Sequence, residues 1–324
     1  MGRNKIIYAG GLKETLKSYI GDKVTDSSID AYTNSLHNIF KVLNKELSIA
    51  PLLDFDNVIK LLTEKGYEYS TLKNKISSII TYLKASNVHD DEILMKYADY
   101  IDSLTTKIDK RQRTLEKSKT DSENWVTKAE LIEIRDILKK NLNIKNLSFG
   151  FLHLYEQYIC LTIHIIYPFR NELCDALIID SKNATPAMKD NPNMNYIVVD
   201  MNKKKVKIIL EKYKTVKTFK DIVIDVDDET AKEIIKYFIY LSNYKHEHEI
   251  INDWFIISKT GEKLTRNNYT VFFQHIFEKF NKKIGTSLVR KIIASSLYDV
   301  HEMKRLEKVM GHNLNTQLKY YVKE

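Results

Sequence analysis

FGFLHLYEQYICLTIHIIYPFRNELCDALIID, residues 149–180, is the stretch on which the fold turns. From Phe149 to Ile166 it is apolar nearly all round, the pattern of a helix at the centre of a domain rather than on its surface. Pro168 cannot continue that helix, so Arg170 starts the next turn at its rim, with Glu172 and Asp175 close behind. An arginine there either pairs with one of those carboxylates or serves a ligand, and the segment alone leaves both open.

Downstream, the periodicity changes from helical to alternating. NYIVVD (195–200), VKIILEKYKT (206–215) and FKDIVIDV (219–226) read as strands, the first two joined by the turn-prone MNKKK, and together they predict a three-stranded antiparallel meander. Lys214 falls at a Tyr-Lys-Thr corner, where a long cationic side chain can reach outward; one lysine among several on an exposed turn is the plainer alternative. Helical spacing returns from Asp228 to about Tyr240, Trp254 to Ile257 form a short apolar segment, and helices resume at Leu264.

The C-terminal run GTSLVRKIIASSLYDVHEMKRLEKVMGHNLNTQLKYY, residues 285–321, puts Arg290 on an apolar helix, then Gly311-His312, then Tyr320-Tyr321. These groups suit phosphodiester chemistry. An arginine clamps non-bridging phosphate oxygens with a planar fork of donors, a histidine moves protons near neutral pH, and a tyrosine hydroxyl can act as a covalent nucleophile. Neighbouring tyrosines on a helix point about 100° apart, so only one of the pair can face a phosphate.

Upstream, residues 12–106 repeat apolar positions every three or four residues, as in Ile29, Tyr32, Leu36, Ile39, Phe40 and Leu43, and predict a bundle of four or five helices. Thr25, Asp26 and Ser27 offer N-caps for one of them, and Ser70 or Thr71 for another. Lys73, Lys75 and Lys84 lie on the polar faces, placed to meet DNA phosphates or simply solvent. KIDKRQRTLEKSKTDS, residues 107–122, carries six basic residues, among them Lys110, Arg111 and Arg113, and predicts an exposed basic connector that could lie along a nucleic-acid backbone. The expected division is a helical domain at 1–106, a linker at 107–122, and a mixed domain at 123–324 that opens on Asn124-Trp125.

Composition bounds these expectations. The chain of 324 residues is 43% hydrophobic, enough for two domains with real cores, and its four prolines and nine glycines argue against a disordered protein. Lys and Arg outnumber Asp and Glu by 51 to 43, a net charge of +8 that suits a polyanionic partner. Cys160 and Cys174 lack metal-ligand spacing and read as buried thiols in a reducing compartment. The N-terminus has no signal-peptide core, and its myristoylation pattern fails at Ile6. No segment reaches the roughly eighteen apolar residues of a membrane span, so an intracellular, soluble protein is expected.

The order of these groups is arginine, hairpin lysine, a second arginine, Gly-His, then tyrosine nine residues after the histidine. Through YPFRNEL, NYIVVD, YKTVKTF, SLVRKIIASS and MGHNLNTQLKYY the chain resembles the tyrosine recombinase (phage-type integrase) family, and within it the integrases of virophages, large DNA viruses and related mobile elements. The resemblance implies a mainly α fold with a small antiparallel β-meander: a helical core-binding domain and a mixed α/β catalytic domain, closing as a C-shaped clamp on double-stranded DNA. It also implies Tyr321 as the nucleophile that forms a 3′-phosphotyrosyl bond, Arg170 and Arg290 on the phosphate, Lys214 as the acid for the leaving oxygen, and His312 on the phosphate or its proton. Integration or excision by a homotetramer, without metal or other cofactor, is the implied activity.

Two departures stand out. The family's histidine three residues before the second arginine is here Ser287, which can donate a hydrogen bond to phosphate but cannot shuttle a proton at neutral pH. Only Val322, Lys323 and Glu324 follow Tyr321, where many members carry a further helix. A type IB topoisomerase-like relaxing enzyme and a catalytically inactive DNA-binding descendant are the competing expectations.

Overall fold

The computed structural model describes residues 11–114, 116–143, 146–296 and 300–311, and the chain divides into two units between Thr114 and Leu115. The first unit is helical: α1 (Leu12–Ile20), α2 (Asp26–Leu43), α3 (Phe55–Glu64), α4 (Tyr69–Ala85) and α5 (Asp91–Arg113). Leu16, Ile29, Leu36, Ile76, Ile79 and Tyr97 close its core, and the Tyr97 hydroxyl donates to the Leu52 carbonyl at 2.8 Å. Thr25 is the N-cap residue of α2, whereas α4 starts at Tyr69, ahead of the Ser70 or Thr71 cap expected from sequence.

Residues 107–113, expected as connector, continue α5. Arg111 pairs with Glu68 at 2.7 Å and Lys107 lies over the Tyr69 ring at 5.4 Å, so the end of α5 is held against the start of α4. Beyond Thr114 the stretch belongs to the second unit, where Ser118 caps α6 (Lys119–Asn124) and Asp121 pairs with Lys291 at 2.6 Å. A basic linker and the solvent face of a helix share one composition; the contacts made by the apolar minority separate them.

The second unit is built round the apolar run. α8 (Phe149–Ile166) is contacted by α7 (Lys128–Lys140), α11 (Asp228–Glu247), α12 (Arg266–His275) and α13 (Thr286–Ser295), which is why it is apolar on every face. A capping box between Thr127 and Glu130 starts α7. The sheet comprises β1 (Leu177–Asp180), β2 (Asn195–Asp200), β3 (Lys205–Leu210) and β4 (Ile222–Asp225) in the order β1-β2-β3-β4. Short helices α9 (Ala184–Asp190) and α10 (Val216–Phe219) interrupt the connections, and α14 (Val300–Met310) packs on β4.

The expected meander is there as β2-β3-β4, antiparallel throughout. The sheet is nevertheless mixed, because LIID adds β1 parallel to β2, with Leu177 opposite Tyr196. Three successive buried residues give β1 no alternation to read, and a short apolar run of that kind cannot be told from helix by periodicity. The Trp254 segment runs along the outer edge of β1, where Ile178 N–H donates to the Asp253 carbonyl at 2.8 Å and Phe255 N–H to the Ala176 carbonyl at 2.9 Å.

α8 also buries a carboxyl. Glu156 is fully enclosed, accepts from Ile257 N–H at 2.9 Å, and burial pushes its pKa up to about 8. Between its ordinary value and that one, the folded chain keeps a proton that the unfolded chain releases. Its contribution to stability therefore falls as pH rises, by up to about 1.4 kcal/mol per pH unit. Glu156→Gln has no such proton. In thermal melts between about pH 5 and pH 8, the difference in Tm between wild type and Glu156→Gln is expected to move steadily in favour of the variant. A difference independent of pH would show that the carboxyl is not held protonated.

Candidate active site

α8 ends at Tyr167, whose hydroxyl donates to the Asp227 carboxylate and accepts from Asp227 N–H, both at 3.0 Å. The turn that follows, Pro168 to Arg170, is formed because proline cannot extend the helix and buried Phe169 anchors the loop. The carbonyls of Pro168 and Arg170 point inward. The Pro168 carbonyl accepts from Arg290 Nη1 at 2.6 Å, and the Arg170 carbonyl faces His164 Nε2 at 3.2 Å. Arg290 is 1% exposed on α13, while Arg170 is half-buried at the rim.

His164 lies on the same side of α8, fully buried, with Nδ1 at 2.8 Å from the Cys160 carbonyl. Burial brings its pKa down to about 4; the two carbonyls act against that, and the Arg290 charge adds to it. A neutral ring carries one N–H, so it donates to one of these two carbonyls and not to both. The start of α13 is tied to the same turn, since Thr286 Oγ1 donates to Asn171 Oδ1 at 2.8 Å and Asn171 Nδ2 donates to Thr270 Oγ1 at 2.9 Å. Ser287, exposed, is the second residue of α13, one turn before Arg290.

The sheet brings in the lysine corner. Beyond Leu210 the chain leaves β3 and turns through Glu211 to Thr215 before α10. Buried Asn195, at the start of β2, bonds to Glu172 on one side and to Glu211 and Lys212 on the other. Asp175, one of the two partners offered to Arg170 by the sequence, pairs with Lys212 at 2.6 Å. Lys214 is exposed at the corner. Tyr213 Oη donates to the Lys220 carbonyl at 2.5 Å, closing the corner over Lys220, a non-glycine residue held at φ 54° and ψ −160°.

Gly311 completes the cluster. It follows α14 at φ +59°, its carbonyl accepts from Thr215 Oγ1 at 2.6 Å, and a Cβ there would stand 2.7 Å from Tyr213 Cε2. The residue before His312 thus rests on the residues that flank Lys214. His312, Tyr320 and Tyr321 lie outside the described residues.

The cations of the first unit are less uniform than their sequence pattern. Lys75 is not a surface cation: it is 8% exposed, its Nζ donates to Asn38 at 2.5 Å and stands 4.7 Å from the centre of the Tyr67 ring, and burial lowers its pKa. Lys73 is half-buried and donates to Thr105 at 2.8 Å. Lys84 and Lys110 are exposed, Arg111 is exposed but paired with Glu68, and Arg113 ends α5.

His164, Asn195 and Thr215 escaped sequence reading. A histidine inside an apolar helix reads as core, and the asparagine that opens NYIVVD reads as an ordinary first residue of a strand. Thr215, beside Lys214, was the most accessible of the three. Among the described residues, no group of three or more His, Cys, Asp or Glu could hold a metal ion, and no helix is long and apolar enough to cross a membrane.

No protein family and no curated protein matches the chain in sequence. Among solved structures, the chain is similar to XerA recombinase at 13% identity and a TM-score of 0.42, over 97% of this chain and 93% of that one. It is similar to XerH site-specific recombinase bound to difH substrate in a pre-cleavage complex at 16% identity and a TM-score of 0.47, over 95% and 91% of the two chains. The XerH post-cleavage complex with palindromic difH gives 15% identity and a TM-score of 0.47, over 95% and 89%.

Gly311→Ala is expected to cost about 1–3 kcal/mol, because it combines an unfavourable φ with a clash against Tyr213. Thermal unfolding of the full chain measures this directly. An unchanged Tm would mean that α14 does not end against the lysine corner.

Proposed function

We propose that the chain is a DNA strand-exchange enzyme of the tyrosine recombinase type, integrating or excising a viral or mobile genome as a tetramer on paired sites. The first unit would serve as the DNA-binding domain and the second as the catalytic one. The observation that carries this reading is the chain of hydrogen bonds joining four sequence-distant segments: the Arg170 turn, the Arg290 helix, the Lys214 corner and the Gly311 turn. The motif order of the sequence requires such a gathering. Nothing in the packing of a generic helical domain does.

In this mechanism the Tyr321 hydroxyl attacks phosphorus. The Oη–P bond forms as the bond from phosphorus to the 5′ oxygen breaks, leaving a 3′-phosphotyrosyl link and a free 5′-hydroxyl. Arg170 and Arg290 hold the charge that builds on the non-bridging oxygens; Arg290 is oriented beforehand by its bond to Pro168, so little reorganisation is needed at the moment of reaction. Lys214 gives its proton to the departing 5′ oxygen, and His312 bonds the phosphate or takes up the proton that the Tyr321 hydroxyl gives away. Ser287, on the first turn of α13, offers a hydroxyl to the phosphate in place of the family's histidine. The phosphate ester energy is kept in the protein link, and attack by a new 5′-hydroxyl reverses the step onto a different strand.

The test is covalent trapping on nicked duplexes taken from the ends of the element that encodes the protein. A protein–DNA adduct is expected on denaturing gels with wild type and Tyr320→Phe and none with Tyr321→Phe, while Arg290→Ala slows adduct formation by about 10²–10³-fold. An adduct that survives Tyr321→Phe would move the nucleophile elsewhere. Tight DNA binding with no adduct from wild type would make the chain a DNA-binding descendant, and relaxation of supercoils without exchange would make it a topoisomerase.

A further inference from the structure

We infer that Asn195 is a positioning residue that holds Lys214 in register with the arginine turn, a role that rests on the strand-exchange reading above. Its side chain is 1% exposed and makes four hydrogen bonds, every one to backbone. Nδ2 donates to the Glu172 carbonyl at 2.9 Å and to the Lys212 carbonyl at 3.0 Å, and Oδ1 accepts from Glu211 N–H at 3.1 Å and Lys212 N–H at 2.9 Å. Glu172 stands two residues after Arg170, and Lys212 two residues before Lys214. One rigid, planar amide therefore spans the two backbone segments from which the two cations project.

The place of Asn195 in the sheet makes this tie consequential. In the β2–β3 ladder Asn195 is opposite Leu210, the last pair, so Glu211 and Lys212 lie past the end of the ladder. The Asn195 side chain continues the pairing by two residues and couples it to the arginine turn at the same time. The Asn195 side chain is buried, so each partner it loses leaves a buried polar atom of the amide unsatisfied. Outside them the Asp175–Lys212 ion pair closes the same gap at 2.6 Å, with Lys212 partly exposed. Lysine is long and flexible, so its precision as an acid depends on where its backbone is anchored, and a displacement of about 1 Å costs on the order of 100-fold in rate.

Changing the leaving group separates positioning from mere structural support. A duplex with sulfur in place of the bridging 5′ oxygen releases a thiolate, whose thiol has a pKa of about 8.5 against roughly 15.7 for water, so it departs without a proton donor. The full chain is assayed on both nicked duplexes in single turnover as wild type, Lys214→Ala, Asn195→Ala and Lys212→Met, with DNA affinity measured alongside. With the oxygen substrate Asn195→Ala is expected to react about 30–100-fold more slowly than wild type while affinity stays within about 3-fold. With the sulfur substrate its deficit should shrink to less than about 5-fold, following Lys214→Ala. Equal deficits on both substrates, or no deficit on oxygen, overturn the inference.

Lys212→Met keeps Asn195 and its four backbone bonds and removes only the ion pair to Asp175, so if circular dichroism shows Asn195→Ala unfolded, the same selective rescue is read there at about 3–10-fold. Wild type that forms no adduct with either substrate overturns the strand-exchange reading and this role with it. Wild-type adduct beside an unaffected Asn195→Ala, or beside an unaffected Lys212→Met where the alanine variant does not fold, overturns this role alone.

Discussion

Arg290 is 1% exposed, and a guanidinium taken out of water costs several kcal/mol unless acceptors are already in place around it. That requirement organises the second unit. Pro168 ends α8 and leaves its own carbonyl to receive Arg290 Nη1. His164 is kept neutral by burial, so the helix under the turn adds no second charge next to Arg290. Thr286 and Asn171 then fix the start of α13 to the same turn. The apolar girth of α8 supports all of this, because four surrounding helices pack on it and give the turn a rigid base.

The sheet extends the same logic to Lys214. A hairpin corner is ordinarily mobile, because loops are the mobile parts of a fold. Here the corner is tied at three points: Asn195 under its beginning, the Tyr213–Lys220 bond across it, and the Thr215–Gly311 bond to the end of α14. The strained backbone of Lys220 persists because these neighbours over-determine it. Gly311 is a glycine for a stated reason, since both its φ and the Tyr213 ring exclude a side chain.

Basic charge in the first unit divides into two kinds. Lys75 and Lys73 are consumed in local packing and hydrogen bonds, whereas Lys84 and Lys110 are exposed. On α4, Lys75 and Lys84 stand nine residues and about 180° apart around the axis, one facing in and one out, so a lysine count along the helix overstates the charge offered to a polyanion.

Local pattern was enough for much of the fold. The girdled helix 149–166, the strand NYIVVD, the antiparallel pairing that follows it and the helical character of the N-terminal region, expected as four or five helices, were all legible, because each rests on periodicity and turn chemistry within a short window. The order of Arg170, Lys214, Arg290 and Gly311 was legible too, since a motif is a linear property. Tertiary structure alone decided that LIID is a parallel strand, that residues 107–113 are helical, and that Lys75 is buried. It likewise decided that Asp175 pairs with Lys212 and that Asn195 and Thr215 join the segments carrying the charges. Which partner satisfies a buried polar group depends on segments more than a hundred residues away, and that competition is settled by three-dimensional proximity and the cost of leaving any such group unpaired.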